Sequence, residues 1–320
     1  MLSRVADNLY WMRRYLERAD QIARVVGVNL DLVFDRAPGD VARLWGRLLP
    51  ALYSAPTWAR AARAYDDEPL SDLTSIDAVA SCFAAARENA RQVRQHITGE
   101  LWERVNVAHL TLNDPARRNE WAERPHGYFQ AVRTSAALID AAVNAGLPRD
   151  QRWYFVQLGL HLERAAATAR FLTCQMREAR SNGSDDTLDE QIEWICLLRA
   201  CDSLELYRQC CGATLEPERI VRFLIADPVS PRSLRYAFEE IERALAAIAA
   251  AAPHQPPVTL TFDLMPTVAG LGSGDRDPIS VVAAIENETN RIHSAVHETY
   301  IVNRRPAAFV DRGRAPWTAQ

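Results

Sequence analysis

No lysine occurs in the 320-residue chain, so all 37 basic side chains are arginine. A Walker-type phosphate loop, a pyridoxal Schiff base and the strand lysine of a protein kinase each need an amine, so all three are excluded. Arginine stays protonated and cannot act as a base or amine nucleophile, but its planar fork suits carboxylates and phosphates. Cysteine is sparse. The six residues Cys82, Cys174, Cys196, Cys201, Cys210 and Cys211 make no C-x-x-C pair, which leaves no zinc framework and favours small core thiols. Long apolar runs are missing too: nothing approaches the ~20 residues a membrane span needs, and the stretch Ala244–Ala252 is only alanine-rich. Strong net charge is the last absence. A formal charge of −4 gives no electrostatic case for nucleic acid or an anionic membrane as partner. The N-terminus carries charge from Arg4 onward, unlike a signal peptide, so a cytoplasmic location is expected.

What the chain does have is helical periodicity. Nearly every segment repeats its apolar residues at helix spacing, and only VTLTFDL at 258–264 alternates like a strand. An all-α fold follows, a bundle of about eight to ten helices. Ser3 is the expected N-cap of a first helix reaching about residue 34. Further helices are expected at 40–53, after Pro56, and from Ser75 to about Leu112 with a break at Thr98-Gly99. Pro125 to Gly146 and Asp150 to about Arg180 follow, then Leu188 to Cys211 and a short helix from Pro217. Ser230 with Pro231 reads as an N-cap followed by proline at the first helical position, and a last helix runs from about Ser280 to Asn303. The expected domain is a single helical unit over residues 1–302 with an irregular insertion at 253–278. A polar tail at 303–320 is expected to be flexible.

The chain also repeats itself weakly. Residues 16–19 and 162–165 both read Leu-Glu-Arg-Ala, within related helices at 9–26 and 155–172. Neighbouring residues on a helix diverge by about 100°, so Glu17 and Arg18 cannot pair with each other. Glu17 lies off the apolar stripe of Leu9, Met12, Leu16 and Ala19, one turn from Arg13, and an exposed Arg13–Glu17 pair is expected. The second copy reads differently. Residues 155–169 are apolar nearly all round, as in a buried central helix, with Gln157, His161, Arg164 and Thr168 in one polar stripe. A guanidinium buried there needs either a carboxylate from another helix or a ligand anion.

Two further clusters stand out. In AARENARQVR, Arg87, Arg91 and Arg94 share a face beside Glu88, which suits carboxylate or phosphate recognition or an ordinary solvated face. In the last helix Glu286, Asn290, His293 and His297 share another. Glu286 with the two histidines is an alternative divalent-metal site to hydrogen-bonded structural histidines. No metal or cofactor is otherwise expected, and AGLGSGD at 269–275 lacks the strand–turn–helix context of a phosphate cradle.

The opening MLSRVADNLYWMRRYLERAD, together with AARENAR, Trp102-Glu103, LERA at 162–165, DPVSPRS at 227–233 and HETY at 297–300, resembles the alpha-E family. These are bacterial all-helical proteins with a Glu-Arg motif. The resemblance covers almost the whole chain, although Ala166 stands where the first copy has Asp20. It implies work beside an ATP-grasp-type ligase and a transglutaminase-like protein, in making or processing amide bonds of a peptide or acidic metabolite. Three readings follow. In the first, an accessory domain binds substrate through Arg18, Arg87, Glu88, Arg91 and Arg164 in a polar interior. In the second, the chain is itself a hydrolase or amide-transfer enzyme, with Glu17 or Glu163 as general base and His161 as an acid–base group. In the third, the Glu-Arg pairs are clasps of a structural helical module.

Overall fold

The computed structural model describes residues 3–33, 52, 71–181, 188–261 and 277–302. Among these are eleven α-helices and no strand. They are α1 (Ser3–Val33), α2 (Ser71–Gln92), α3 (Gly99–Leu112), α4 (Arg118–Glu123), α5 (Pro125–Gly146) and α6 (Gln151–Ser181). Then come α7 (Leu188–Ala200), α8 (Leu204–Cys211), α9 (Pro217–Ala226), α10 (Leu234–Ala250) and α11 (Pro278–Val296). A π-helical turn at His297–Ile301 ends the described chain, its i→i+5 geometry seen in the Val302 N–H donating to His297 O at 2.8 Å. The helices expected at 40–53 and after Pro56, most of the 253–278 insertion and the 303–320 tail lie outside the described residues.

Local chemistry sets the boundaries. The expected break at Thr98-Gly99 is real: Thr98 caps α3, its hydroxyl accepting from the Leu101 N–H at 3.2 Å. Proline stands in the first turn of α5, α9 and α11, where a missing N–H costs nothing. Gly212 ends α8 at φ +90°, a conformation natural only to glycine. The cap expected at Ser230 falls three residues later. Ser233 caps α10 by accepting from the Tyr236 N–H at 3.0 Å. Asp227 instead folds residues 227–230 into a turn, its Oδ1 accepting from the N–H groups of Val229 and Ser230. The described part of the strand-like segment forms no ladder. Thr261 instead donates its N–H and hydroxyl to Glu288 of α11, at 2.7 and 2.8 Å.

The two helices that carry the repeat, each 31 residues long, form the centre of the fold. Helix α1 packs against α2, α5, α6 and α7, while α6 also packs against α10 and α11. Leu9, Met12, Leu16, Ile22, Leu158, Leu162 and Leu172 are all buried in one continuous core. Gly159 lets the two helices meet closely: a Cβ there would stand 2.5 Å from the Tyr10 carbonyl oxygen. That close approach brings both Glu-Arg motifs within side-chain reach of the opposite helix.

Candidate functional site

The two motifs exchange partners. Arg18 of α1 holds Glu163 of α6 by both carboxylate oxygens, Nε to Oε1 at 2.7 Å and Nη2 to Oε2 at 3.1 Å. In return Arg164 of α6 donates from Nε to Glu17 Oε1 at 3.1 Å. Each glutamate therefore pairs with the arginine that follows the other glutamate, across the helix contact.

Each half then recruits further arginines. Glu17 Oε1 also accepts from Arg232 Nη1 at 2.9 Å and from Gln21 Nε2 at 3.3 Å, and Arg13 Nη2 lies 3.6 Å from Oε2. Arg232 reaches on to Asp20 at 2.9 Å, which Arg24 also holds at 2.7 Å. Arg13 ends on Asp140 at 2.6 Å. Around Glu163 the second partner is Arg14, whose Nε donates to Oε2 at 2.8 Å. The Nη1 of Arg14 donates to the Tyr10 hydroxyl at 3.1 Å and approaches His293 Nδ1 at 3.2 Å; Tyr10 and His293 are 2.8 Å apart. Because the guanidinium can only donate, Nδ1 of His293 is the acceptor for both, and the ring proton sits on Nε2.

This is a largely buried polar core. Glu163 is fully buried and Glu17 nearly so, at 0% and 2% exposure. The pair expected on the surface, Arg13 with Glu17, is instead interior, since Arg13 is 3% exposed. The polar shoulder of α1 faces α6 and α5 rather than water. Burial by itself would raise both carboxyls. The arginines overcome it, Arg164, Arg232 and Arg13 for Glu17, Arg14 and Arg18 for Glu163. Glu17 therefore lies well below the usual carboxylate range and Glu163 is lowered to about 2. Burial pushes the neighbouring Cys82 thiol up to about 12, which makes it a poor nucleophile. His161 is held down to about 3 by burial and by Arg164, so its ring is neutral.

Such carboxylates make poor general bases. A base working near neutral pH needs a pKa near neutral and a free lone pair facing the substrate. Neither has such a pKa: both are strongly acidic, Glu163 is held on both oxygens by Arg14 and Arg18, and Glu17 carries three donors on Oε1 with Arg13 3.6 Å from Oε2. The arrangement can clamp helices and fix positive charge, and Arg18, 35% exposed, brings some of that charge to the surface.

Of the residues picked from the sequence, Glu17, Arg18, Glu163, Arg164 and His161 come together here. Arg87, Glu88 and Arg91 do not join that polar interior. Arg91 holds Glu88 on the exposed face of α2 at 2.7 and 2.8 Å, and Arg87 turns to Asn106 of α3 at 2.7 Å, its guanidinium 5.7 Å from the Trp102 ring centre. One turn of α2 thus reads as a solvated face plus a helix–helix contact. His293 lies against the Arg14 end of the cluster, and its ring is 6.2 Å from that of His297. No group of three or more His, Cys, Asp or Glu side chains able to hold a metal occurs among the described residues. Glu286, half-buried, is raised by that burial against the pull of Arg170.

Arg14, Asp20 and Arg232 join the cluster without any sequence signal of their own. Arg232 sits inside the DPVSPRS segment, and the Asp227 turn before α10 aims it at α1; nothing in the local sequence reveals so distant a partner.

A family model matches residues 1–301, that of Alpha-E, described as a predicted alpha-helical domain with a conserved ER motif. Uncharacterized proteins of Mycobacterium bovis and of Mycobacterium tuberculosis are 23% identical to the chain over 267 residues, covering 74% of it. The chain spans 29% of the length of these relatives. No solved structure matches. Among the described residues no helix is long and apolar enough to cross a membrane. The match covers nearly the whole chain, and the chain belongs to the Alpha-E family.

Proposed function

We propose that the domain is an accessory, substrate-holding helical module of an amide-bond-forming or amide-processing system, and that catalysis resides in a separate partner. The supporting observation is the closure of Glu17 and Glu163 onto arginine. Residues committed to clasping α1 and α6 are not available for proton transfer, while the arginines around them keep fixed positive charge where α1, α6 and α10 meet. The partner class, an ATP-grasp-type ligase with a transglutaminase-like protein, comes from the resemblance of the Glu-Arg segments, and the chain would meet it in the cytoplasm. A peptide or acidic metabolite suits the arginine content, since guanidinium forks recognise carboxylates.

The test combines the purified chain with an ATP-grasp-type ligase from the same genome. Co-elution on size exclusion, and ADP release by the ligase that changes when the chain is added, are the expected results. Separate elution with unchanged ADP release would overturn the reading. The enzyme alternative makes the opposite demand: amide turnover by the chain alone, abolished in a folded Glu163→Gln variant.

A further inference from the structure

One part of the polar core is not closed. Arg164 spends its Nε on Glu17, and neither of its terminal nitrogens makes a hydrogen bond to another described residue. Its side chain keeps 15% of its surface open. One turn earlier on the same face of α6, His161 is 4% exposed, and its Nδ1 is buried with no hydrogen-bond partner. Buried polar atoms are normally hydrogen-bonded, and here two groups one turn apart on α6 both keep unused donor or acceptor capacity, as Asp20 Oδ1 does on the α1 side of the cluster.

The surroundings favour negative charge. Helix α10 closes this side of α6, and the Tyr236 ring stands 6.0 Å from the His161 ring. Arg13, Arg164 and Arg243 all bear electrostatically on His161, and Arg13 and Arg232 bear on Arg164. Two carboxylates face them. Oε1 of Glu17 is taken by Arg232, Arg164 and Gln21 while Oε2 lies 3.6 Å from Arg13, and Glu240 is paired with Arg243 at 2.6 Å. A neutral imidazole can carry its proton on Nδ1 and donate without needing charge, which would set an imidazole N–H one turn of α6 from the two terminal nitrogens of Arg164. That is a donor set for two oxygens of one anionic group.

We propose that His161 and Arg164, between α6 and α10, form a binding site for a small oxyanion, the carboxylate or phosphate group of a ligand. This deepens the reading of the domain as a substrate-holding module by naming the group held. It requires no partner enzyme, so its failure is separable from failure of the ligase interaction.

The experiment uses the full chain labelled with 13C-histidine. It is titrated near neutral pH with inorganic phosphate and, separately, acetate, with ionic strength fixed by sodium chloride. The His161 resonance, identified by its loss in His161→Phe, is expected to shift saturably with at least one anion. The thermal midpoint should rise with the same dependence, and His161→Phe should lose that rise. A response to phosphate alone assigns a phosphate-bearing ligand, and a response to acetate alone a carboxylate. A His161 resonance indifferent to both anions overturns the proposal, as does an equal midpoint rise in His161→Phe. Should His161→Phe fail to fold, Tyr236→Phe and Arg243→Gln supply the assignment by selective perturbation of the neighbouring ring, and the wild-type titration decides alone.

Discussion

Arg18 and Glu163, 145 positions apart in sequence, form a two-point fork whose carboxylate has no exposure to solvent. The matching contact between Arg164 and Glu17 makes the pair of motifs a reciprocal clasp. The two halves differ in their supports. Asp20 draws Arg232 and the start of α10 onto the first copy, whereas Ala166 stands at the equivalent place in the second and leaves that support to Arg14 and α11. The repeat thus provides the central contact and its divergence decides which outer helix each half recruits.

Removing the charge of Glu163 leaves the largely buried Arg14 and the partly exposed Arg18 without their shared counter-ion. Glu163→Gln is expected to lose about 3–5 kcal/mol in urea unfolding. Glu163→Leu with Arg18→Met should recover little, because Arg14 stays stranded; adding Arg14→Met should recover most of the loss. Equal recovery in the double and triple variants would mean that Arg14 does not depend on Glu163.

The α1–α6 contact tolerates no methyl group at residue 159. Gly159→Ala is expected to cost about 1–3 kcal/mol by forcing the helices apart. Because the clasp spans the same contact, the variant should also show increased amide hydrogen exchange in both helices around residues 14–18 and 160–164. A variant as stable as the wild type would show that the Tyr10 carbonyl can move aside.

Acid should unfold the protein in two stages. His161 is lowered from 6.5 to about 3 and His293 to about 4, so the unfolded chain binds these protons first. The stability they contribute is full above pH 6.5 and declines as the pH falls below it. Glu163 is lowered from 4.5 to about 2 and Glu17 further. Their share is full above about pH 4.5 and is lost as the pH falls toward 2, with a slope of about 1.4 kcal/mol per pH unit for each fully linked group. Urea midpoints measured from pH 7 to 3 should show a shallow decline and then a steeper one. His161→Phe should halve the slope of the first part, leaving the His293 share, and reduce the second by the same amount down to about pH 3 while keeping the carboxylate share.

On α2 the expectation is the reverse. Glu88 and Arg91 are solvated, at 53% and 54% exposure, and high dielectric and salt screen their attraction. Arg91→Ala is expected to unfold at the wild-type urea midpoint, and to leave ligase binding unchanged if α2 is not the docking face. A large loss of stability would place this pair in a buried contact.

The sequence by itself makes legible most of the helices and the separation of Glu from Arg in each motif, although the helix expected from Leu188 to Cys211 is broken at 201–203, where Asp202 takes φ +52°. Periodicity and capping are local, and adjacent residues on a helix necessarily point apart. It also marked α6 as a central helix, because 155–169 has almost no wet face, and left two partners open for Arg164. The fold supplies the carboxylate partner: Glu17, brought over by the α1–α6 contact, takes Nε of Arg164. The sequence misplaced Glu17 on the surface because an off-stripe residue looks solvated until another helix covers it. Arg232 was beyond its reach for a related reason, since a contact across more than two hundred positions depends on how the Asp227 turn aims one side chain. Arg91 and Glu88 show the converse: three arginines on one face look like a site, but α2 turns that part of the face toward water.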